Sequence, residues 1–298
     1  MKISDIFRYG IEAGKSGDSR EFEELEEKEK KLKNEDSLYE DSAIHYDSGK
    51  DIKRVFVGID CETQEILMAE RVGVDLVFGH HPEGAALVNL WKVMEIHREA
   101  LIADGVSVNV AERVVEERQD EIKRAFHGSN YNRACDAARV MEMSFLNLHT
   151  PADNLANKAM KEFVENGRYK TIKEFIEAAL EIEEYKDAAR YGVKPKVLSG
   201  SENNRIGKVF VKFNGGTSGN KKIFKYLEAA GISTFICMHL PEAHVEEAKK
   251  QNINVVVMPH MASDSLGVNL LIDEILKRGN EELDIIAGAG FVRVDRRQ

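Results

Sequence analysis

The residues of this sequence best suited to chemistry begin with the adjacent pair His80 and His81, which stands between Gly79 and Pro82. The mostly apolar run before them, residues 74–78, is too short for a core helix, and its valines predict a buried strand. Ligands of open parallel sheets bind at the carboxyl ends of the strands, and neutral imidazole commonly binds transition metals. The pair therefore predicts either a metal site or a polar loop with two solvated histidines.

The same arrangement recurs after two later predicted strands, residues 144–148 and 254–258. Each strand is followed by a histidine and then, four positions later, by an aspartate: His149 with Asp153, and His260 with Asp264. Taken singly, either aspartate could cap the helix that follows it. The recurrence at three strand ends favours a shared cluster, in which imidazole and carboxylate without thiolate suit zinc, iron, manganese or nickel.

Two such ions, about 3.5–4 Å apart, would activate a shared water molecule for hydrolysis. His149 is a sixth candidate ligand, and it serves equally well as a catalytic residue or as one that orients a ligand. His244 follows another predicted strand and is predicted to be a catalytic acid–base group or a substrate contact, with a surface role as the alternative.

Residues 215–219 form a glycine-rich stretch between a predicted strand and a predicted helix. Gly215, Gly216 and Gly219 could present backbone amides to an anion there, because the N-terminus of a helix favours negative charge. The stretch is not a Walker phosphate loop, because Gly219 is followed by Asn220 rather than by lysine and a hydroxyl residue. The alternative is a tight turn without a ligand.

Composition narrows the class of protein. The formal net charge is −10 and the 298 residues contain no basic block, which argues against a large nucleic-acid interface or an anionic membrane surface. No apolar run approaches the length of a membrane span, and we expect no signal peptide. The three cysteines are far apart and odd in number, which argues against disulfides and thiolate zinc and predicts a reducing cytoplasm.

Strands alternate with helices, which predicts an α/β protein with two lobes of mixed sheets flanked by helices. We assign residues 1–185 to an N-terminal lobe that contains a helical elaboration at about 87–143. Residues 186–206 are predicted to be a connector, and residues 207–298 a C-terminal α/β lobe. The charged run of residues 20–33 is predicted to be an exposed helix.

Three motifs together resemble the Nif-three-like dinuclear metal-centre family, whose members are often described as type-two GTP cyclohydrolase I. The motifs are GHHP at 79–82, LHTPAD at 148–153 and the C-terminal half from Gly215 to Asp264, within a resemblance over most of residues 50–275. The resemblance implies two α/β lobes with two metal ions in the cleft between them, and a ring-shaped hexamer. The metal ligands that it implies are His80, His81, Asp153, His260 and Asp264.

The chain departs from this family pattern at Asp264, in its N-terminal segment and in the long helical segment between Pro82 and His149. Asp264 stands where the family usually has glutamate, and aspartate is one methylene shorter as a bridge between two ions. The N-terminal family signature around a tryptophan is not evident, since the single tryptophan of the chain is Trp91.

The leading functional hypothesis is a metal-dependent hydrolase of a small molecule, either a nucleotide or a pterin-like ring, with a phosphate held by the glycine turn. The competing hypothesis is a non-catalytic metal-binding protein that regulates partners or acts as a scaffold. An open coordination position distinguishes a catalytic metal from a structural one. A third hypothesis, a nucleotide-binding module without metal, predicts that chelators have no effect and that His80→Ala leaves ligand binding intact.

Overall fold

The computed structural model describes residues 1–32 and 37–297, and it confirms an α/β fold with two mixed sheets flanked by helices. Strands are numbered in chain order. In the described residues the first sheet has the spatial order β1 (Ala43–Tyr46), β4 (Ser144–Asn147), β3 (Leu76–Gly79), β2 (Arg54–Gly58), β9 (Asp284–Ala287). The second sheet has the order β5 (Lys196–Ser199), β8 (Asn254–Val257), β7 (Thr234–Cys237), β6 (Val209–Lys212). The edge strands β1 and β5 are antiparallel to their neighbours, and the other pairs are parallel.

Helices connect these strands and cover the faces of both sheets. They are α1 (Ile3–Gly14), α2 (Phe22–Lys31), α3 (Thr63–Val72), α4 (Gly84–Asn89), α5 (Glu95–Ala103), α6 (Val108–His127), α7 (Arg133–Val140), α8 (Thr150–Asn166), α9 (Ile172–Ala179), α10 (Glu183–Arg190), α11 (Ile223–Ala229), α12 (Glu242–Lys250) and α13 (His260–Gly279). Short 3-10 helices lie at Lys15–Gly17 and Leu90–Met94. None of the helices in this described part of the chain is both long and apolar enough to cross a membrane.

The unit β2–α3–β3 shows how local sequence builds the first sheet. Helix α3 begins at a capping box formed by Glu62 and Glu65, and it ends at Gly73, whose φ of 70° is the left-handed conformation that glycine adopts without strain. Both strands are largely buried and pair in parallel, with Val55 opposite Leu76. The predicted strand at 74–78 is therefore confirmed as part of a parallel βαβ unit.

Two helices join the cores of the two sheets. On one face of the first sheet, Leu155 of α8 and Leu271 of α13 pack with Val57 and Phe78. The same α8 helix contributes Met160 to the core on one face of the second sheet, beside α9 and α10. Because α8 and α13 also pack on each other, this pair of helices connects the two sheets.

The sheets do not follow the predicted division of the chain. Strand β9, which the sequence placed in the C-terminal lobe at 207–298, pairs with β2 of the first sheet. Strand β5 lies inside the predicted connector at 186–206 and forms an edge of the second sheet. Helices α5 and α6 belong to the predicted N-terminal elaboration, yet they pack on the second sheet through a core that includes Phe210 and Phe235. The chain therefore crosses between the sheets more often than predicted.

Several element boundaries also differ from prediction. Residues 106–111, predicted to include a short extended piece, contain the start of α6, and residues 291–294 form no strand among the described residues. The predicted exposed helix at 20–33 is α2, and its last predicted residue, Lys33, lies outside the described residues. The three cysteines, all in the described part, form no disulfide.

Candidate metal centre

The first sheet brings two of the three predicted ligand segments together. Strands β3 and β4 are parallel neighbours, with Gly79 opposite Asn147, so both carboxyl ends lie at the same edge of the sheet. His80 and His81 leave β3 there, and His149 leaves β4 directly before α8. The ring centroids of His80 and His149 are 4.8 Å apart.

Helices α8 and α13, which pack on each other, supply the carboxylates. Helix α8 starts at Thr150, before Asp153, so Asp153 lies in its first turn rather than capping it. Helix α13 starts at His260, which places His260 and Asp264 one turn apart on the same face. The close approach of α13 to α8 depends on Gly267, because a methyl group at this position would lie 2.4 Å from the carbonyl oxygen of Ala152.

All five predicted metal ligands and His149 converge on one buried region, which we call the His/Asp cluster. Its members fall into three groups, in each of which one ligand atom per residue lies within 4.8 Å of the others: His80, His81 and His149; His81, His260 and Asp264; His80, Asp153 and Asp264. The members directly follow β3 and β4 of the first sheet or lie in α8 and α13, and α13 connects the site to the second sheet because it follows β8.

Asp264 is shared by two of these groups. Its Oδ1 lies 3.7 Å from Nε2 of His80, whereas its Oδ2 lies 3.4 Å from Nε2 of His81 and 3.5 Å from Nε2 of His260. Two ligands at about 2.1 Å from one tetrahedral ion are about 3.4 Å apart, so these separations fit ligation. Because α13 lies close to α8, aspartate reaches both groups although it is shorter than glutamate.

Carboxylate partners orient two of the histidines. Nδ1 of His149 lies 2.7 Å from Oδ2 of Asp41, which also accepts a hydrogen bond from the Thr150 hydroxyl. Nδ1 of His81 lies 2.7 Å from Oδ1 of Asp60. In each neutral ring this arrangement places the proton on Nδ1 and leaves the lone pair of Nε2 facing the cluster, as in carboxylate–histidine–metal sites.

Sequence reasoning did not identify Asp41 or Asp60. Asp60 follows β2 at the same edge of the sheet as His80, so the strand-end pattern could have included it. Asp41 precedes β1, an antiparallel edge strand. Local sequence did not indicate that strand, and so gave no reason to place Asp41 beside His149.

Four atoms of the cluster are buried and have no hydrogen-bond partner among the described residues: Nε2 of His80, Oδ1 of Asp153, and both Oδ1 and Oδ2 of Asp264. Unsatisfied buried polar atoms are rare in native proteins, because each costs about 1–3 kcal/mol. Here they converge, and their chemistry is that of transition-metal ligands. The residues present therefore fit a bound metal.

Burial and mutual charge set the proton occupancy of the metal-free cluster. Burial raises the pKa of Asp153 to about 6 and holds the pKa of His80 well below its ordinary value. Burial also opposes a charge on His81, but the neighbouring carboxylates of Asp264 and Asp60 outweigh this and raise its pKa to about 10. At neutral pH the metal-free cluster therefore carries a proton on His81 that a metal would displace.

We expect metal binding near pH 7 to release protons, since a protonated imidazole cannot be a ligand. Calorimetric titration of zinc into metal-stripped protein, in buffers of different ionisation enthalpy, counts the protons. The affinity should rise with pH by about tenfold per unit for each proton displaced. An affinity that stays constant from pH 6 to pH 8 would show that the His81 proton is not displaced.

His244, predicted to be catalytic, is not among the residues brought to the cluster. Its Nε2 lies 3.1 Å from the carbonyl oxygen of Gly219, and its ring packs edge-on to Phe224. Another histidine stands beside the cluster: His239, two residues after β7, has its ring centroid 4.9 Å from that of His260. The signal for His239 was its position at a strand end, the same signal that identified His80.

The glycine stretch forms a tight turn whose glycines have structural reasons to be present. Gly215, Gly216 and Gly219 have φ values of 80°, 70° and 76°, in the left-handed region. A methyl group at Gly215 would lie 2.0 Å from Nε2 of His97, and one at Gly216 would lie 2.6 Å from Cδ1 of Leu90. The left-handed backbone therefore accounts for all three glycines, and close packing for Gly215 and Gly216, without an anion.

Neither a family model nor a curated protein matches the chain. Among solved structures, a NIF3 superfamily protein from Sphaerobacter thermophilus aligns over 98% of this chain and 99% of its own, with a TM-score of 0.81 and 24% sequence identity. TTHA1606 from Thermus thermophilus covers 96% and 97%, with a TM-score of 0.52 and 10% identity. Protein ybgI, of unknown function, covers 90% and 94%, with a TM-score of 0.51 and 13% identity. The chain therefore has the fold of NIF3 superfamily proteins, which confirms the resemblance at the level of the fold.

Proposed function

We propose that this chain, with its NIF3 superfamily fold, holds two divalent transition-metal ions at the His/Asp cluster and acts as a metal-dependent hydrolase of a small molecule. The observation that carries the proposal is the position of Asp264. Its two oxygens face different histidines, and neither oxygen has another partner among the described residues. One carboxylate shared in this way suits a pair of ions better than a single ion.

A cavity beside the cluster supports catalysis over a purely structural metal site. It has a volume of about 70 Å³ and is lined by His81, Asp153, His239 and His260, among others. Structural metals are enclosed by protein ligands, whereas catalytic metals keep a position open to water or substrate. Two bound ions would lower the pKa of water and polarise the bond to be hydrolysed.

The side chains have distinct roles in this proposal. His80, His81, Asp153, His260 and Asp264 would hold the ions, and His149 would serve as a further ligand because Asp41 fixes its orientation. His239 lies on the cavity wall next to His260, where it can contact substrate.

The family resemblance supplies the remaining parts of the proposal. A nucleotide or a pterin-like ring is the substrate class that we carry forward, and a ring-shaped hexamer in the cytoplasm is the assembly. Zinc, iron, manganese and nickel all suit the ligand set, so each is included in the tests.

The experiment is a screen of metal-loaded protein against phosphomonoesters, phosphodiesters, nucleotides and pterins. We expect metal-dependent hydrolysis of at least one class, with a loss of about 100-fold or more in Asp153→Ala, since one ligand of the cluster is removed. Asp136→Ala is the matched control, because Asp136 is exposed and pairs with Arg139 on its own helix. Metal-loaded protein that hydrolyses none of these classes would favour the competing function, a metal-binding regulator or scaffold.

A further inference from the structure

Lys212, the last residue of β6, is a buried lysine whose partners are backbone carbonyls. Only 9% of the residue is exposed. Its Nζ donates hydrogen bonds to the carbonyl oxygens of Asn214, at 3.1 Å, and of Thr217. Within residues 1–32 and 37–297, no acidic side chain lies within the 4.0 Å of an ion pair with this ammonium group. Buried lysines are usually paired with a carboxylate, so the arrangement calls for an explanation.

The position of Lys212 offers an explanation for this unpaired, buried charge. It lines the same cavity of about 70 Å³ as the cluster residues His81, Asp153 and His260. Strand β6 is parallel to β7, with Lys212 opposite Cys237, so the lysine stands at the carboxyl edge of the second sheet. This is the edge at which open α/β sheets bind their ligands.

The turn after β6 accepts hydrogen bonds from two of the three N–H donors of the ammonium group. An ammonium group has three N–H donors, and the carbonyls of Asn214 and Thr217 take two of them. The turn also uses some of its own amides, since the N–H of Thr217 donates to the carbonyl of Gly215 and that of Gly219 donates to the Thr217 hydroxyl. Within this turn and the strand before it, the lysine is therefore the residue that brings a full positive charge to the cavity.

We propose that Lys212 binds an oxyanion of the substrate, a phosphoryl or carboxylate group, and thereby positions the substrate against the His/Asp cluster. This inference rests on the proposed function and adds the requirement that the substrate is an anion. The glycine turn then acts indirectly, because it holds the ammonium group in place through two carbonyl oxygens.

The charge on Lys212 suits this role. Burial lowers its pKa to about 8, so the ammonium form still predominates at pH 7. An oxyanion beside Nζ would restore the interaction energy that burial removes, because an opposite charge favours the charged form.

The test compares wild type with Lys212→Met in calorimetric titrations of manganese-loaded protein with inorganic phosphate and, separately, with acetate. We expect Lys212→Met to weaken the binding of at least one of these anions by about 10-fold to 100-fold, the usual size of a lost charge-assisted hydrogen bond. The anion that is affected identifies the group that the site takes. Lys208→Met is the matched control, since Lys208 lies in the same segment but is half-exposed and pairs with Asp104.

A second variant separates binding from support of the turn. Lys212→Gln keeps an N–H donor for the two carbonyl oxygens and loses the charge. We expect it to weaken anion binding as strongly as Lys212→Met, and we expect the anion-induced rise in melting temperature to disappear in both. Anion affinity in Lys212→Gln equal to that of wild type would overturn the inference and leave Lys212 as a brace for the turn.

The same titrations on metal-stripped protein distinguish failure of this inference from failure of the proposed function. Lys212 faces the cavity with or without metal, so the difference between wild type and Lys212→Met should persist at lower overall affinity. If the protein binds no metal but this difference is found, only the proposed function fails. If metal and hydrolysis are found but the variants bind both anions as wild type does, only the role of Lys212 fails.

Discussion

Replacing Asp264 with alanine is expected to reduce the metal content from about two ions per chain to nearly none. The reason is that Asp264 belongs to two of the three ligand groups, so its loss removes a ligand from each ion at once. His260, by contrast, belongs to one group, and His260→Ala should remove one ion more readily than the other. Elemental mass spectrometry on protein purified without chelators measures both contents.

The matched control for this prediction is Glu274→Ala. Glu274 lies on the same helix, α13, and its carboxylate pairs at the surface with Lys277 and Arg278. The variant should keep the metal content of wild type. Retention of both ions by Asp264→Ala would mean that the carboxylate does not bridge, and the dinuclear arrangement would have to be abandoned.

Removing the metal is expected to destabilise the protein, whereas neutralising Asp153 should stabilise the metal-free form. An ion at a thousand times its Kd stabilises the folded state by about 4 kcal/mol, so stripping the ions should lower Tm by roughly 10 °C. Asp153→Asn removes a buried carboxylate whose burial raises its pKa to about 6. Metal removal and Asp153→Asn change stability in opposite directions because the Asp153 carboxylate binds metal but has no adequate partner when the metal is absent.

The sign of the Asp153 effect follows from proton linkage. The folded, metal-free state holds a proton on Asp153 up to about pH 6, whereas the unfolded chain releases it near pH 4. The free energy of unfolding therefore falls as pH rises from 4 to 6, and the loss is complete at pH 7. Asp153→Asn should recover on the order of 2 kcal/mol at pH 7 and almost nothing at pH 4.

Urea unfolding of chelator-treated protein at the two pH values measures this difference. The variant should also lose most of the rise in Tm that zinc or manganese gives wild type. An Asp153→Asn protein that is less stable than metal-free wild type at pH 7 would mean that the carboxylate is satisfied within the fold, contrary to the orphaned Oδ1 atom.

The sequence predicted the cluster well because its signal is local. A histidine that follows a strand lies at the carboxyl edge of the sheet, whichever other strands pair with that strand. His80, His149 and His260 all lie at such an edge. What periodicity did not indicate was where α8 and α13 begin. Asp153 and Asp264 also suited helix caps, yet both lie inside the helices and face the cluster.

The contributions that depend on distant pairing were not predictable in the same way. Strand β9 joins the first sheet beside β2, across more than half of the chain, and no pattern within residues 284–287 specifies that partner. His239, rather than the predicted His244, lies beside the cluster, and the reason is local. Both follow β7, but helix α12 turns His244 toward the carbonyl of Gly219, whereas His239 stays at the strand end beside His260.

We propose that the His/Asp cluster is a dinuclear metal centre, and an anomalous-scattering map of crystals grown with manganese would show the ions themselves. The prediction is two peaks about 3.5–4 Å apart, with the Asp264 carboxylate between them and His80 and His260 on different ions. A single peak would contradict the shared role of Asp264. No peak at the cluster, in crystals of protein offered zinc or manganese, would contradict the account as a whole.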